Sequence, residues 1–292
     1  MTTTADRLGS THADEPLRIP SSDGVTIALH PMGGSGPELI ICHATGVNGG
    51  ADTPLARALT DDFRVWAIDF RGHGHSTPPP NDNFAWGGMT DDLLACIDTL
   101  GTAPVRAFGH SLGGAVTLLA EAARPGSIAA AYLYEPIVLP AELVLTTRDN
   151  PMIEPALRRR EVFASKAEAL ERYASRPPLS VLRADSLAAY VDAGFEELPD
   201  GTVRLRCRPE NEARTFACEQ KMTLDRIDDL SIPVTVGAGK VASSPNPADF
   251  APPMVERLRS GRLLWYEHLG HFGPLQTPEA IAHDVREAVT LI

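Results

Sequence analysis

Apolar residues along the chain gather in short unbroken runs, and between the runs they recur at helical spacing. Residues 39–42, 65–70, 105–108, 128–134, 232–236 and 263–266 are such runs. Runs of this length, apolar on both faces, predict strands buried on both sides. Helices are predicted between them. One spans about residues 53–59. Met89, Leu93, Cys96, Ile97 and Leu100 form the stripe of a second. Residues 115–120 are apolar on nearly every face and predict a buried third. Residues 254–258 and a last stripe of Ile281, Val285, Ala288 and Val289 complete the series. Ahead of these, residues 17–20 and 25–30 flank the turn signal Ser21-Ser22-Asp23-Gly24 and predict a hairpin, with a loop over residues 32–37. Strands alternating with helices predict an α/β fold: a mostly parallel sheet with helices on both faces.

The alternation stops after Leu139. From residue 140 to about 220 the chain is richer in Arg, Glu and Ala, and mostly helical in pattern. Leu170, Tyr173 and Ala174 form one stripe, and Leu187, Tyr190, Val191 and Phe195 another. Pro199-Asp200-Gly201 marks a turn. We read residues 1–139 and 221–292 as one core and residues 140–220 as a helical cap inserted into it. The aromatic residues Phe163, Tyr173, Tyr190 and Phe195 are candidates for pocket walls or for packing within the cap.

Charge narrows the partners. The 292 residues carry 38 acidic and 26 basic side chains, a net charge of -12. The one basic cluster, Arg158-Arg159-Arg160, reads as the solvated face of a helix. Nucleic acid and anionic membranes are therefore not expected partners. Cys42, Cys96, Cys207 and Cys218 lack metal-ligand spacing, and Cys42 and Cys96 sit in apolar patterns as buried thiols. No disulfide is demanded, no metal cluster, phosphate loop or dinucleotide fingerprint is present, and no cofactor is expected. The first dozen residues are polar and read as a frayed end. They lack a signal-peptide pattern, and no run is long enough to span a bilayer, so a cytoplasmic location is expected. Nothing in the sequence marks an oligomeric state.

The candidate chemistry lies where strands end. Residues 105–119 read Val-Arg-Ala-Phe-Gly-His-Ser-Leu-Gly-Gly-Ala-Val-Thr-Leu-Leu. Small residues around Ser111 let a strand turn sharply into a helix, which exposes the hydroxyl beside a helix N-terminus that favours negative charge. In open parallel sheets, ligands bind outside the carboxyl ends of strands. His43-Ala44-Thr45, Glu135 and His271 fall at that same edge. A nucleophile, a base, an acid to orient the base and N–H donors for an oxyanion are the parts that acyl transfer needs.

Four ordered pieces carry a resemblance: Cys42-His43-Ala44-Thr45-Gly46, Asp69-Phe70-Arg71-Gly72-His73-Gly74-His75-Ser76, Gly109-His110-Ser111-Leu112-Gly113-Gly114 and Gly270-His271-Phe272. In these the chain resembles the α/β-hydrolase-fold family, in the form with a helical cap after strand six. The resemblance implies Ser111 as nucleophile, His271 as base, and the backbone N–H groups of Thr45 and Leu112 as oxyanion donors. It implies that residues 71–76 shape a turn, with His73 and His75 structural. A serine nucleophile argues against epoxide opening and halide displacement. It leaves hydrolysis of esters, lactones, thioesters or amides, and the leading expectation is a serine hydrolase or esterase acting on a small-molecule ester or lactone, with cofactor-free perhydrolysis, carbon–carbon bond hydrolysis or ligand binding without catalysis as alternatives.

The acid departs from the commoner family pattern. Ala242 stands where the usual aspartate would be, and the next acidic residue, Asp249, comes late. Glu135, in Tyr134-Glu135-Pro136, resembles the carboxylate that some relatives place at the end of strand six, and it is the candidate acid. For the base, His268 competes with His271.

Overall fold

Along β3 (Glu38–Cys42), Ile40 and Cys42 pack into one apolar core while Leu39 and Ile41 pack into another. The same alternation separates Trp66 and Ile68 from Val65 and Ala67 on β4 (Arg64–Asp69). This is why the strands read as unbroken apolar runs: each face of the pleat is buried against its own helices. The computed structural model describes residues 15–144, 150–218, 220–242 and 246–290. The frayed-end expectation for the first dozen residues, and residues 243–245 just after Ala242, lie outside the described residues.

The remaining strands of the main sheet are β1 (Leu17–Pro20), β2 (Thr26–Gly33), β5 (Val105–His110), β6 (Ile128–Tyr134), β12 (Val234–Gly239) and β13 (Gly261–Tyr266). Their order is β1-β2-β4-β3-β5-β6-β12-β13. β1 pairs antiparallel with β2, and β2 with β4; all other neighbours are parallel. The loop expected over residues 32–37 starts later than its glycines suggested. β2 runs on to Gly33 through a register shift between Pro31 and Gly33, which a proline and a glycine at an irregular strand end accommodate.

The chain reverses its winding at β3. α1 (Thr53–Arg57), which follows β3, packs with α11 (Pro278–Thr290) on one face. α3 (Leu112–Ala123), which follows β5, packs with α2 (Trp86–Leu100) on the other. β3 and β5 are neighbours, so their loops part at the carboxyl edge, the place where open sheets of this kind bind ligands.

Between β6 and β12 the chain leaves the sheet. β7 (Val138–Leu139) and β11 (Met222–Thr223) pair where it departs and returns. Within the excursion lie α4 (Ala141–Val144), α5 (Ile153–Leu157), α6 (Lys166–Ala174), α7 (Ala184–Gly194) and α8 (Pro209–Ala217). Besides these helices it holds a three-stranded antiparallel sheet of β8 (Val162–Phe163), β9 (Phe195–Glu197) and β10 (Val203–Leu205). The sequence pattern shows only helices here because strands of two or three residues are too short to display alternation. Pro199-Asp200-Gly201 is the turn of the β9–β10 hairpin, with Gly201 at φ +84°. α9 (Ala251–Arg257) and α10 (Gly273–Gln276) complete the helices.

Two expectations about basic residues resolve differently. Arg71 shapes a turn, as expected: it is fully buried, and its guanidinium reaches Asp92 at 2.8 and 2.9 Å, Asp23 at 2.8 Å, Ser22 at 2.9 Å and the carbonyls of Asn83 and Gly88. The Arg158-Arg159-Arg160 cluster is not a solvated helical face. α5 ends at Leu157, and only Arg158 and Arg160 point outward, to Glu154 and Glu168. Arg159 turns inward onto Glu212 and Tyr190, because partners distant in sequence neutralise its charge.

Candidate active site

Ser111 follows the last residue of β5 at φ +54° and ψ -113°. This is a strained backbone for a residue with a Cβ. It holds because the flanking glycines let backbone pass backbone. A Cβ on Gly113 would overlap the carbonyl oxygen of Cys42 at the end of β3, and one on Gly109 would stand 2.6 Å from Gly114 Cα. Strand, turn and helix are thereby pressed together, and Ser111 is left 6% exposed at the N-terminus of α3. Its own N–H donates to Tyr134 O at 3.0 Å, and its carbonyl accepts from Ile137 N at 3.2 Å.

Glu135 follows β6, also at positive φ (+41°), and is 1% exposed. Its N–H donates to Gly237 O at 2.9 Å. Its Oε1 accepts from Gly239 N–H at 2.9 Å, and its Oε2 lies 2.7 Å from Nδ1 of His271. The loop that carries His271 crosses the end of β12 to reach it. That crossing depends on Gly239, where a Cβ would overlap Leu269 O. The carboxylate thus has one oxygen on a backbone donor and one on the imidazole. Nδ1 carries the proton in that contact, and Nε2 is the ring nitrogen left for other work.

Two further residues, unremarked in the sequence, hold the same loop. Tyr134 donates its hydroxyl proton to Gly270 O at 2.9 Å. His110 Nε2 lies 2.7 Å from His271 O; a carbonyl only accepts, so Nε2 bears the proton. Burial, then the neighbouring His271, keeps the His110 ring well below the ordinary imidazole range and neutral. Its ring centroid is 5.0 Å from that of His271. His110 ends β5 just before Ser111 and Tyr134 ends the neighbouring β6, and sequence carried no signal for them beyond that position. His268, the competing base, is exposed in the turn after β13. Ala242 and Asp249 are exposed, with Asp249 accepting from Asn246 Nδ2 at 2.8 Å.

The loop after β3 lies at the same carboxyl edge, since β3 and β5 are parallel neighbours. Ala44 O accepts from His43 Nδ1 at 2.7 Å and from Val47 N–H at 3.1 Å. A peptide is planar and trans, so the Thr45 N–H on the same unit points the opposite way. Among the described residues it donates to no protein acceptor. Leu112 opens α3, so its N–H has no acceptor within the helix. Burial pushes the His43 imidazole down to about 3, and both its nitrogens are engaged, since Phe70 N–H donates to Nε2 at 3.1 Å. His73 is structural in the same sense: its Nδ1 faces Arg71 O at 3.0 Å and its Nε2 accepts from Gly46 N–H at 3.1 Å.

The aromatic residues of the excursion pack on one another. Phe163 lies 5.5 Å from Phe195 and 5.8 Å from Tyr173, and Tyr173 lies 5.9 Å from Tyr190. This cluster shares one core with Ala44, Val47 and Ala51 of the loop after β3 and with Leu275 of α10.

A reversal of winding between two parallel strands, a serine on a strained strand-to-helix turn, and a histidine held by a buried carboxylate together define a class, and comparison with known proteins agrees. A family model described as the alpha/beta hydrolase fold matches residues 37–198, more than half of the chain. The chain belongs to the α/β-hydrolase fold family. Over 96 residues it is 35% identical to the pimeloyl-acyl-carrier-protein methyl ester esterase of Methylococcus capsulatus, which covers 33% of this chain and 35% of that protein. The chain thus spans about a third of the length of this relative. Over 208 residues it is 25% identical to the 2-(acetamidomethylene)succinate hydrolase of Mesorhizobium japonicum, 71% of this chain and 72% of that one. A crystal structure of E-2-(acetamidomethylene)succinate hydrolase has the same fold, with a TM-score of 0.77 at 20% identity over 94% of this chain and 98% of that one. No helix among the described residues is long and apolar enough to cross a membrane.

Proposed function

We propose that the chain is a serine hydrolase that cleaves a small carboxylic ester or lactone through an acyl-enzyme on Ser111. Ser111 Oγ attacks the carbonyl carbon as its proton passes to Nε2 of His271. Glu135 holds Nδ1–H, fixes the tautomer and balances the imidazolium that forms. The N–H groups of Thr45 and Leu112 receive the oxyanion. Collapse expels the alcohol, which takes the proton from His271, and water then repeats the sequence to release the acid. Residues 140–220 act as the cap over this site.

The observation that supports the reading most is the buried Glu135 carboxylate, shared between Gly239 N–H and His271 Nδ1. A binding protein on this scaffold would have no use for an acid that orients the base. A match over 208 residues, to a relative named as a hydrolase rather than an esterase, favours a second reading in which the same residues cleave a bond other than an ester. Labelling with a fluorophosphonate probe, in the wild type and in Ser111→Ala, tests the nucleophile. A panel of esters and lactones of graded acyl length, with a diketone and a peroxide-supplemented arm, then separates ester hydrolysis from carbon–carbon cleavage and perhydrolysis. An unlabelled wild type that turns over none of the panel would refute both readings.

A further inference from the structure

Three elements of the excursion converge on one carbonyl of the oxyanion loop. Tyr190, on α7 and 2% exposed, has its hydroxyl 3.3 Å from Gly46 O. Arg159, just after α5, donates from Nη2 to that hydroxyl at 2.6 Å. Glu212, on α8, pairs with Nη1 of Arg159. A guanidinium can only donate, so the tyrosine oxygen accepts from it and the hydroxyl proton is driven onto Gly46 O. Glu212 sets the guanidinium by neutralising it in a site shielded from water.

Gly46 leaves room for this arrangement and for nothing larger. It sits at φ +74°, and a Cβ there would stand 2.5 Å from Glu212 Oε1 and 3.1 Å from Arg159 Nη1. Asn48, two residues further along the loop, donates from Nδ2 to Tyr190 O at 3.3 Å, so the loop also grips the backbone of α7.

Two rigid peptide units connect Gly46 to the oxyanion donor. The Gly46–Val47 unit has its carbonyl on Tyr190 and its N–H on Ala44 O at 3.1 Å. The Ala44–Thr45 unit has its carbonyl on that N–H and on His43, and its N–H, that of Thr45, turned the other way. Each unit is planar, so fixing one end aims the other. We propose that Tyr190, set by the Arg159–Glu212 pair, is a positioning residue that aims the Thr45 N–H at the oxyanion, so that the cap completes the oxyanion hole as well as covering it. This rests on the reading of Ser111 as nucleophile and Thr45 as donor. Donors aimed in advance at developing charge stabilise the transition state and leave ground-state binding unchanged.

The experiment compares the wild type with Tyr190→Phe, which keeps the ring and removes only the hydroxyl. Removing an oxyanion donor outright costs about 10² to 10³ in kcat, so mis-aiming one is expected to cost about tenfold, with KM within about twofold. A trifluoromethyl ketone that forms a tetrahedral adduct should bind about tenfold more weakly, while the carboxylic acid product binds as before. A second variant, Arg159→Met with Glu212→Leu, removes the pair without leaving a lone buried charge and should change the same quantities in the same direction. Adding Tyr190→Phe to it should cost no more than Tyr190→Phe alone, because all three residues act through one hydroxyl. A purely structural role would lower the melting temperature of Tyr190→Phe with kcat, KM and ketone affinity per folded molecule unchanged, and that result overturns the proposal. Fluorophosphonate labelling of Ser111 in the wild type separates the two failures. Without it the nucleophile reading falls and takes this proposal with it; with it, an unchanged Tyr190→Phe overturns this proposal alone.

Discussion

His271 Nδ1 and Glu135 Oε2 are 2.7 Å apart, although Glu135 leaves the sheet from β6 and His271 follows β13, with β12 between them. The contact is possible because Gly239 ends β12 without a side chain, so the base loop folds over that strand, and because a glutamate reaches further than an aspartate from the same place. Glu135→Gln should therefore keep the fold and the Gly239 contact yet lose on the order of 10³ to 10⁴ in kcat, the scale of neutralising an acid that orients a catalytic histidine. Asp249→Asn and His268→Ala should lose little. Steady-state kinetics beside circular dichroism checks this. A nearly fully active Glu135→Gln with an inactive Asp249→Asn would move the acid to the loop after β12.

Gly239 itself provides a second test. Gly239→Ala puts a methyl group into Leu269 O, two residues before His271, and must push the base loop off the end of β12. A displacement of about 1 Å at a reacting group can cost about 10² in rate. The expected outcome is a kcat lowered by that order, with the pocket still able to bind product. Wild-type kcat in a folded Gly239→Ala would show that the loop's course over the strand is immaterial.

The sheet, its helices and the loops at its carboxyl edge were legible in the sequence because strands buried on both faces leave continuous apolar runs. Ser111 was legible because a turn this tight needs glycine on both sides. Glu135 was legible only by pairing its place at a strand end with the missing acid at Ala242. What was not legible depends on partners far along the chain. Arg159 reads like Arg158 and Arg160, and only Glu212 and Tyr190, both distant in sequence, make its burial tolerable. The β8–β10–β9 sheet has strands too short for a period, and His110 and Tyr134 look like ordinary residues of buried strands.

Ser111 holds a strained backbone at φ +54°. Ser111→Ala should lose at least about four orders of magnitude in activity, since nucleophile and base act as a unit. It should keep its fold, because alanine fits the space but inherits φ +54°. Ser111→Gly relieves that conformation, worth of order 1–3 kcal/mol, against a smaller loss from the greater freedom of unfolded glycine. It should therefore be the more stable of the two inactive variants by about 1 kcal/mol in chemical denaturation. Equal or lower stability of the glycine variant would mean that the elbow is not strained.

Asp52 makes a pH dependence. Its side chain is 1% exposed, and Oδ1 has no hydrogen-bond partner among the described residues. Burial, with Asp69 adding like charge, pushes its carboxyl up from 3.8 to about 7. An acid whose pKa is raised on folding favours the folded state fully only below its unfolded value. Folding takes up a proton between about pH 4 and pH 7, so the benefit is lost as pH rises through that window and a constant penalty remains above it. The buried neutral imidazoles of His43, His73 and His110 act oppositely, since unfolding lets each take up a proton below its ordinary range. Asp52→Asn removes one group and leaves the three histidines and Asp92, whose carboxyl burial also raises, unchanged, so they cancel in the difference between variant and wild type. The variant's stability relative to the wild type should therefore climb with pH between about 4 and 7, by up to about 1.4 kcal/mol per unit, and level off above. Denaturant titrations at pH 4.5, 5.5, 6.5 and 8 measure that difference. A flat difference would mean that Asp52 is ionised in the folded protein throughout.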